Sequence, residues 1–204
     1  MTSTQTLRFE APDQGEETAR ADLYGLLASL FYAPASKDLI DRIAASGQDG
    51  DGVLEQAWSG LVDACKRASA DEVRDEYESL FIGVGKPDVM LYGSYYLSGF
   101  LMEKPLAALR DDLGKLGLQR DEAVPESEDH IATLCEVMRY LIASDDSLHA
   151  NVATQKNFFA THIQPWADTM CEAVIQHPAA RFHASVARLA SAFFAVEAQA
   201  FDMA

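Results

Sequence analysis

Glu126, Glu128, Asp129 and His130 form a dense polar cluster at the mouth of an apolar run, in the stretch ESEDHIATLCEVMRYLI at residues 126–142. Carboxylates beside an apolar surface can accept paired hydrogen bonds from a guanidinium, and they can equally cap the exposed amides at a helix start. Ser127 has the chemistry of an N-cap, which would put Glu128 and Asp129 in the first turn, where negative charge suits the helix dipole. Ile131, Leu134, Cys135, Met138, Leu141 and Ile142 then recur at helical spacing. At about 100° per residue, His130 falls beside Leu134, Val137 and Leu141, and Asp129 points away with Glu136. Capping and ligand recognition both fit this arrangement.

Other chemistries find less support. A di-iron helical bundle needs inward-facing Glu-x-x-His pairs. Ser127, Asp146, Phe159, Val174 and Ala180 stand three residues before the five histidines, so only Asp146 with His149 approximates the spacing. Cys65, Cys135 and Cys171 are odd in number, widely separated and on apolar helix faces, which reads as buried free thiols. GVGKP at residues 83–87 lacks the spacing and the preceding strand of a phosphate cradle, and no haem attachment motif occurs. No cofactor and no metal are therefore expected. A metal-dependent helical-bundle oxidoreductase is the second reading.

The charge balance points to the kind of partner. Thirty-two acidic against sixteen basic side chains in 204 residues give a formal net charge of −16. That argues against nucleic acid and anionic membrane surfaces and favours a basic partner, although solvated surface accounts for much of it. No apolar stretch approaches the ~20 residues of a membrane span, so stable membrane insertion is not expected. The first 17 residues carry no apolar run of signal-peptide length, so a cytoplasmic protein is expected.

Helical periodicity runs through the whole chain. Residues 1–15 read as a disordered polar arm, and 16–204 as a single all-α domain. Leu23, Leu26, Leu27, Leu30 and Phe31 mark a core helix that Pro34 stops. Helices follow from Ser36 or Lys37 to Ile43 and from Val53 to Cys65, with Trp58 as a core residue, and then from an Asp71 cap to Phe81. Glycines 83, 85, 93 and 99 with Pro87 predict a loop and a short helical piece carrying Tyr92, Tyr95 and Tyr96. Tyrosines offer large, stiff, amphipathic contact area, whether to a ligand or to the core. A helix from about Pro105 to Leu116 and an acidic connector, 118–125, precede the 126–142 stretch; further helices cover about 146–162, 165–174 and 179–201. The connector divides the domain into lobes of about 16–117 and 126–204. The expected fold is a bundle of roughly eight or more helices.

Four segments together, EYESLF at Glu76–Phe81, YGSYYLSGFL at Tyr92–Leu101, the 126–130 cluster and FFATHIQPWADTMCEAV at Phe158–Val174, resemble the TorD-like family of cytoplasmic chaperones for molybdenum-cofactor oxidoreductases. That family carries a Glu-Pro-x-Asp-His signature. Glu126, Asp129 and His130 match it, and Ser127 stands where proline is expected. The resemblance, from about Ala21 to Phe201, implies an all-α fold and no catalysis. It implies binding of the twin-arginine signal peptide and apo catalytic subunit of a molybdoenzyme until the cofactor is inserted. The implied peptide-binding residues are Glu126, Glu128, Asp129, His130, Tyr92, Tyr95 and Tyr96. The implied client is a formate dehydrogenase, or a dimethyl sulfoxide or trimethylamine oxide reductase. A monomer or a lobe-exchanged dimer is implied for the chaperone itself.

Overall fold

The computed structural model describes residues 14–48, 50–83, 85–121, 124–144 and 151–203. Nearly all of the expected N-terminal arm, and the Asp146–His149 pair, lie outside the described residues. Ten α-helices are formed among those described: α1 Gln14–Tyr32, α2 Lys37–Ala44, α3 Val53–Arg67, α4 Ala70–Tyr77, α5 Gly93–Ser98, α6 Lys104–Lys115, α7 Ile131–Ala143, α8 Val152–His162, α9 Gln164–Gln176 and α10 Phe182–Met203. A π-helical turn, Glu78–Ile82, prolongs α4. The expected all-α fold is the one found. Among the described residues no helix is long and apolar enough to cross a membrane.

Helix α1 buries Tyr24, Leu27, Leu30 and Phe31 completely, and its apolar stripe packs along α7. The two helices approach closely where Gly25 leaves room for Arg139, since a Cβ there would stand 3.0 Å from the Arg139 Cδ. Helix α7 is apolar on nearly every side, with Ile131, Leu134, Cys135, Met138 and Leu141 at 1% exposure or less, so it forms the centre of the bundle. Helix α10 lies against α9 and α3. Packing therefore crosses the connector in both directions, and one contiguous core draws on both halves of the sequence.

Polar groups lock this core at two places. Glu197 on α10 is 2% exposed and takes Arg20 on both oxygens at 2.8 Å and the Tyr24 hydroxyl at 3.1 Å. Arg20 also reaches Gln155, which donates to the Leu141 carbonyl, so α1, α10, α8 and α7 meet at one network. Glu76, from the EYESLF segment, accepts from the backbone amides of Phe182 and His183 and from the His183 ring, capping α10. Tyr77 donates to the carbonyls of Phe31 and Tyr32 at the end of α1.

Several local expectations are revised. Ser69, not Asp71, caps α4, in a capping box with Glu72. Trp58 packs against the core but is only half-buried, with its indole N–H donating to the Gly47 carbonyl at 3.0 Å. Val53 is 72% exposed at the start of α3. Ser127 caps no helix; α7 starts at Ile131 with His130 as its cap.

Candidate functional site

The 126–130 cluster is built where two segments cross. After the π turn the chain passes through Val89, Met90 and Leu91, all buried, and meets residues 129–131 in an antiparallel bridge between Tyr92 and His130. The Ile131 amide donates to the Leu91 carbonyl and the Gly93 amide to the Asp129 carbonyl, each at 2.9 Å. This crossing sets the start of α5 and the start of α7 side by side.

Asp129 lies inside the crossing. It is 3% exposed, and its carboxylate accepts from the Ser94 amide at 2.8 Å and from the Ser127 hydroxyl. It satisfies the N-terminus of α5, a helix 35 residues away in sequence, and does not point away with Glu136. His130 is buried as well, with Nδ1 accepting the Ala132 amide at 3.2 Å and the Tyr92 ring edge-on at 5.0 Å. Burial pushes the imidazole down to about 4, against the opposing pull of Glu126 and Asp129. At neutral pH His130 is an uncharged cap.

Glu126 is half-buried, and Glu128 is buried at 9% exposure. Tyr92 donates its hydroxyl to Glu126, and burial together with that carboxylate pushes the phenol upward. Glu128 accepts two hydrogen bonds from Arg110 of α6, at 3.0 and 2.9 Å, and lies 3.7 Å from Arg120 of the connector. Burial opposes ionisation of Glu128, but the Arg110 hydrogen bonds and the two arginine charges prevail and hold its carboxyl below the usual range.

The expected tyrosines divide. Tyr92 joins the cluster. Tyr96 stacks on Trp166 at 5.5 Å and donates to the Met90 carbonyl, and Tyr95 packs edge-on against Tyr96 under Lys86. The apolar side chains turned to solvent are their successors: Leu97 at 42%, Phe100 at 71%, Leu101 at 42% and Met102 at 75% exposure. Met102 is held in the left-handed region, φ 60°, with its amide donating to the Ser94 hydroxyl at 3.2 Å. Ser94 thus ties the apolar loop to Asp129. Sequence reasoning passed over this loop and Arg110. The available signal was an apolar run enclosing Gly99 and ending before Pro105, where no helix can bury it. Among the described residues no three His, Cys, Asp or Glu side chains converge to hold a metal ion.

The family model described as nitrate reductase delta subunit matches residues 48–172, which is 125 of 204 residues and includes the whole cluster. The chain belongs to that family, the TorD family. It is similar to the chaperone protein TorD of Vibrio cholerae serotype O1, with 26% identity over 202 residues covering 90% of this chain and 92% of the relative. It is similar also to the chaperone protein TorD of Vibrio parahaemolyticus, 27% identical, covering 85% and 90%. A putative redox enzyme maturation protein from Archaeoglobus fulgidus has the same fold, with a TM-score of 0.57 at 19% identity, covering 92% of this chain and 96% of that one. In this TorD-family protein Ser127, at the position of the signature proline, gives Asp129 a hydroxyl donor that proline lacks.

Proposed function

We propose that this TorD-family protein is a cytoplasmic chaperone that binds the twin-arginine signal peptide and apo form of a molybdoenzyme and supports cofactor insertion before export. The client is a formate dehydrogenase, or a dimethyl sulfoxide or trimethylamine oxide reductase. The observation that carries the reading is the junction at Ser94, which bonds to Asp129 of the acidic turn and to Met102 of the exposed apolar loop. A signal peptide offers a basic n-region followed by an apolar h-region, so its receptor needs carboxylates beside an open apolar surface. Glu126, Glu128 and Tyr92 supply the polar end, on a scaffold held by Asp129 and His130. Leu97, Phe100, Leu101 and Met102 supply the apolar end; Tyr95 and Tyr96 support its base. Charge-assisted contacts worth about 1.5 to 3 kcal/mol each, with apolar burial, bring such a complex to the micromolar range once ordering costs are subtracted. The experiment is titration calorimetry of the purified protein with a synthetic peptide of two adjacent arginines and an apolar run of about 12 residues. Saturable heat is expected, weaker when both arginines are lysine or the apolar run is made polar. Equal binding of all three peptides would refute the reading.

A further inference from the structure

The three carboxylates of the turn differ in what they have left to offer. Asp129 is sealed, with the Ser94 amide on one oxygen and the Ser127 hydroxyl on the other. Glu126 is engaged by Tyr92. Glu128 takes both Arg110 donors on a single oxygen, Oε2, while Arg120 Nε stands 3.7 Å from Oε1, too far for a hydrogen bond. An ionised carboxylate has about four acceptor sites, so beside the Arg110 donors and its own backbone amide the Glu128 carboxylate keeps acceptor capacity in reserve. Beside it opens a cavity of about 400 Å³, lined in part by Leu113, Gly117, Gln119 and both arginines.

We infer that Glu128 is the guanidinium seat of the peptide site, and that in the free protein Arg110 occupies this seat as the chain's own stand-in for a client arginine. The inference rests on the peptide reading above and adds which carboxylate meets the arginine and what must leave. Three features support it. Glu128 is held by its backbone, in a turn closed by the His130 amide on the Ser127 carbonyl at 3.1 Å, so the seat keeps its geometry when Arg110 swings out. The Arg110 side chain is 53% exposed against 11% for Glu128, so the arginine end of the pair is solvent-screened and returns to water on leaving while the carboxylate stays in place. Among the side chains lining the cavity, one carboxylate already faces two guanidiniums. An incoming guanidinium therefore enters by exchange with Arg110 rather than by addition.

Fluorescence anisotropy of the dye-labelled arginine peptide against the full-length wild type, Arg110→Gln, Glu128→Gln and the double variant tests this, with thermal melts to confirm folding. Removing the competitor should tighten binding about two- to five-fold, the range an exposed pair commands. Glu128→Gln should weaken binding at least five-fold, and the gain from Arg110→Gln should vanish in its background. Should Glu128→Gln fail to fold, Arg110→Gln decides alone: the gain must be larger for the arginine peptide than for its lysine counterpart. Wild-type binding with no gain in Arg110→Gln overturns this inference and leaves the peptide reading standing. Silence from both wild type and Arg110→Gln removes the peptide reading and this inference with it.

Discussion

Arg20 with Glu197 and Arg110 with Glu128 are the same chemical pair placed in two different environments. The first has side chains 16% and 2% exposed, uses both carboxylate oxygens and adds Tyr24 on one of them. The second has side chains 53% and 11% exposed and loads one oxygen with both donors. Burial turns the first into a clamp whose loss strands a charge in the core, and solvent leaves the second free to open. A guanidinium–carboxylate contact is thus scaffold or exchangeable site according to where its arginine can go.

The comparison breaks first at the clamp. Arg20→Ala is expected to cost about 3 to 5 kcal/mol, because Glu197 is left buried and uncompensated, whereas Arg110→Ala should cost about 1 kcal/mol or less, because Arg110 is solvent-screened and Arg120 remains 3.7 Å from Glu128. Urea denaturation of the two variants reads the contrast directly. Equal losses would mean that burial does not separate the two pairs.

A pH series addresses the inner layer of the site. His130 has a folded-state value lowered from 6.5 to about 4 by burial, so the unfolded chain binds the proton more readily between those values. Stability from this group is fully present above pH 6.5 and is lost as pH falls toward 4, a change on the order of 3 kcal/mol. Burial lowers His162 too, against its Asp112 partner, and adds a loss of the same sign. His130→Asn keeps a capping side chain and should flatten the profile in this window, which thermal melts between pH 7 and pH 4 would reveal. A slope unchanged by His130→Asn would contradict the assignment of His130 as a buried neutral cap.

Smaller effects separate scaffold from surface within the site itself. Asp129→Ala strands the buried Ser94 amide and should cost about 1 to 3 kcal/mol. Gly93→Ala places a Cβ 2.9 Å from the Trp166 indole nitrogen, an overpacking expected to cost about 1 to 3 kcal/mol. Phe100→Ser with Met102→Ser should stay within about 0.5 kcal/mol for each exposed change while weakening the arginine peptide several-fold. Denaturation midpoints and calorimetry on the same samples distinguish these classes. A large stability loss from the loop variant would make the loop part of the core.

The helices were legible because Leu27, Leu30 and Phe31, or Leu134, Met138 and Leu141, repeat on one face with no need of a distant partner. The interior of the site was not. Periodicity carried the 126–142 helix back to Ser127 and sent Asp129 outward, whereas the bridge to Tyr92 ends the helix at Ile131 and turns Asp129 onto Ser94. Partners 35 residues apart leave no local trace in the sequence. The tyrosines were legible as contact area but not in direction, since Trp166 draws Tyr96 inward and leaves Phe100 and Met102 outside.

The most direct test of the account is chemical-shift mapping of the isotope-labelled wild-type protein titrated with the arginine peptide. The account predicts that the amides shifting most lie in two patches that respond together: Ser94 to Arg110, around the apolar loop, and Glu126 to His130, around the acidic turn. Shifts gathered instead along the cavity between α1 and α7, at Ala28, Tyr32, Thr133 and Glu136, would contradict it and place the peptide on a different face of the bundle.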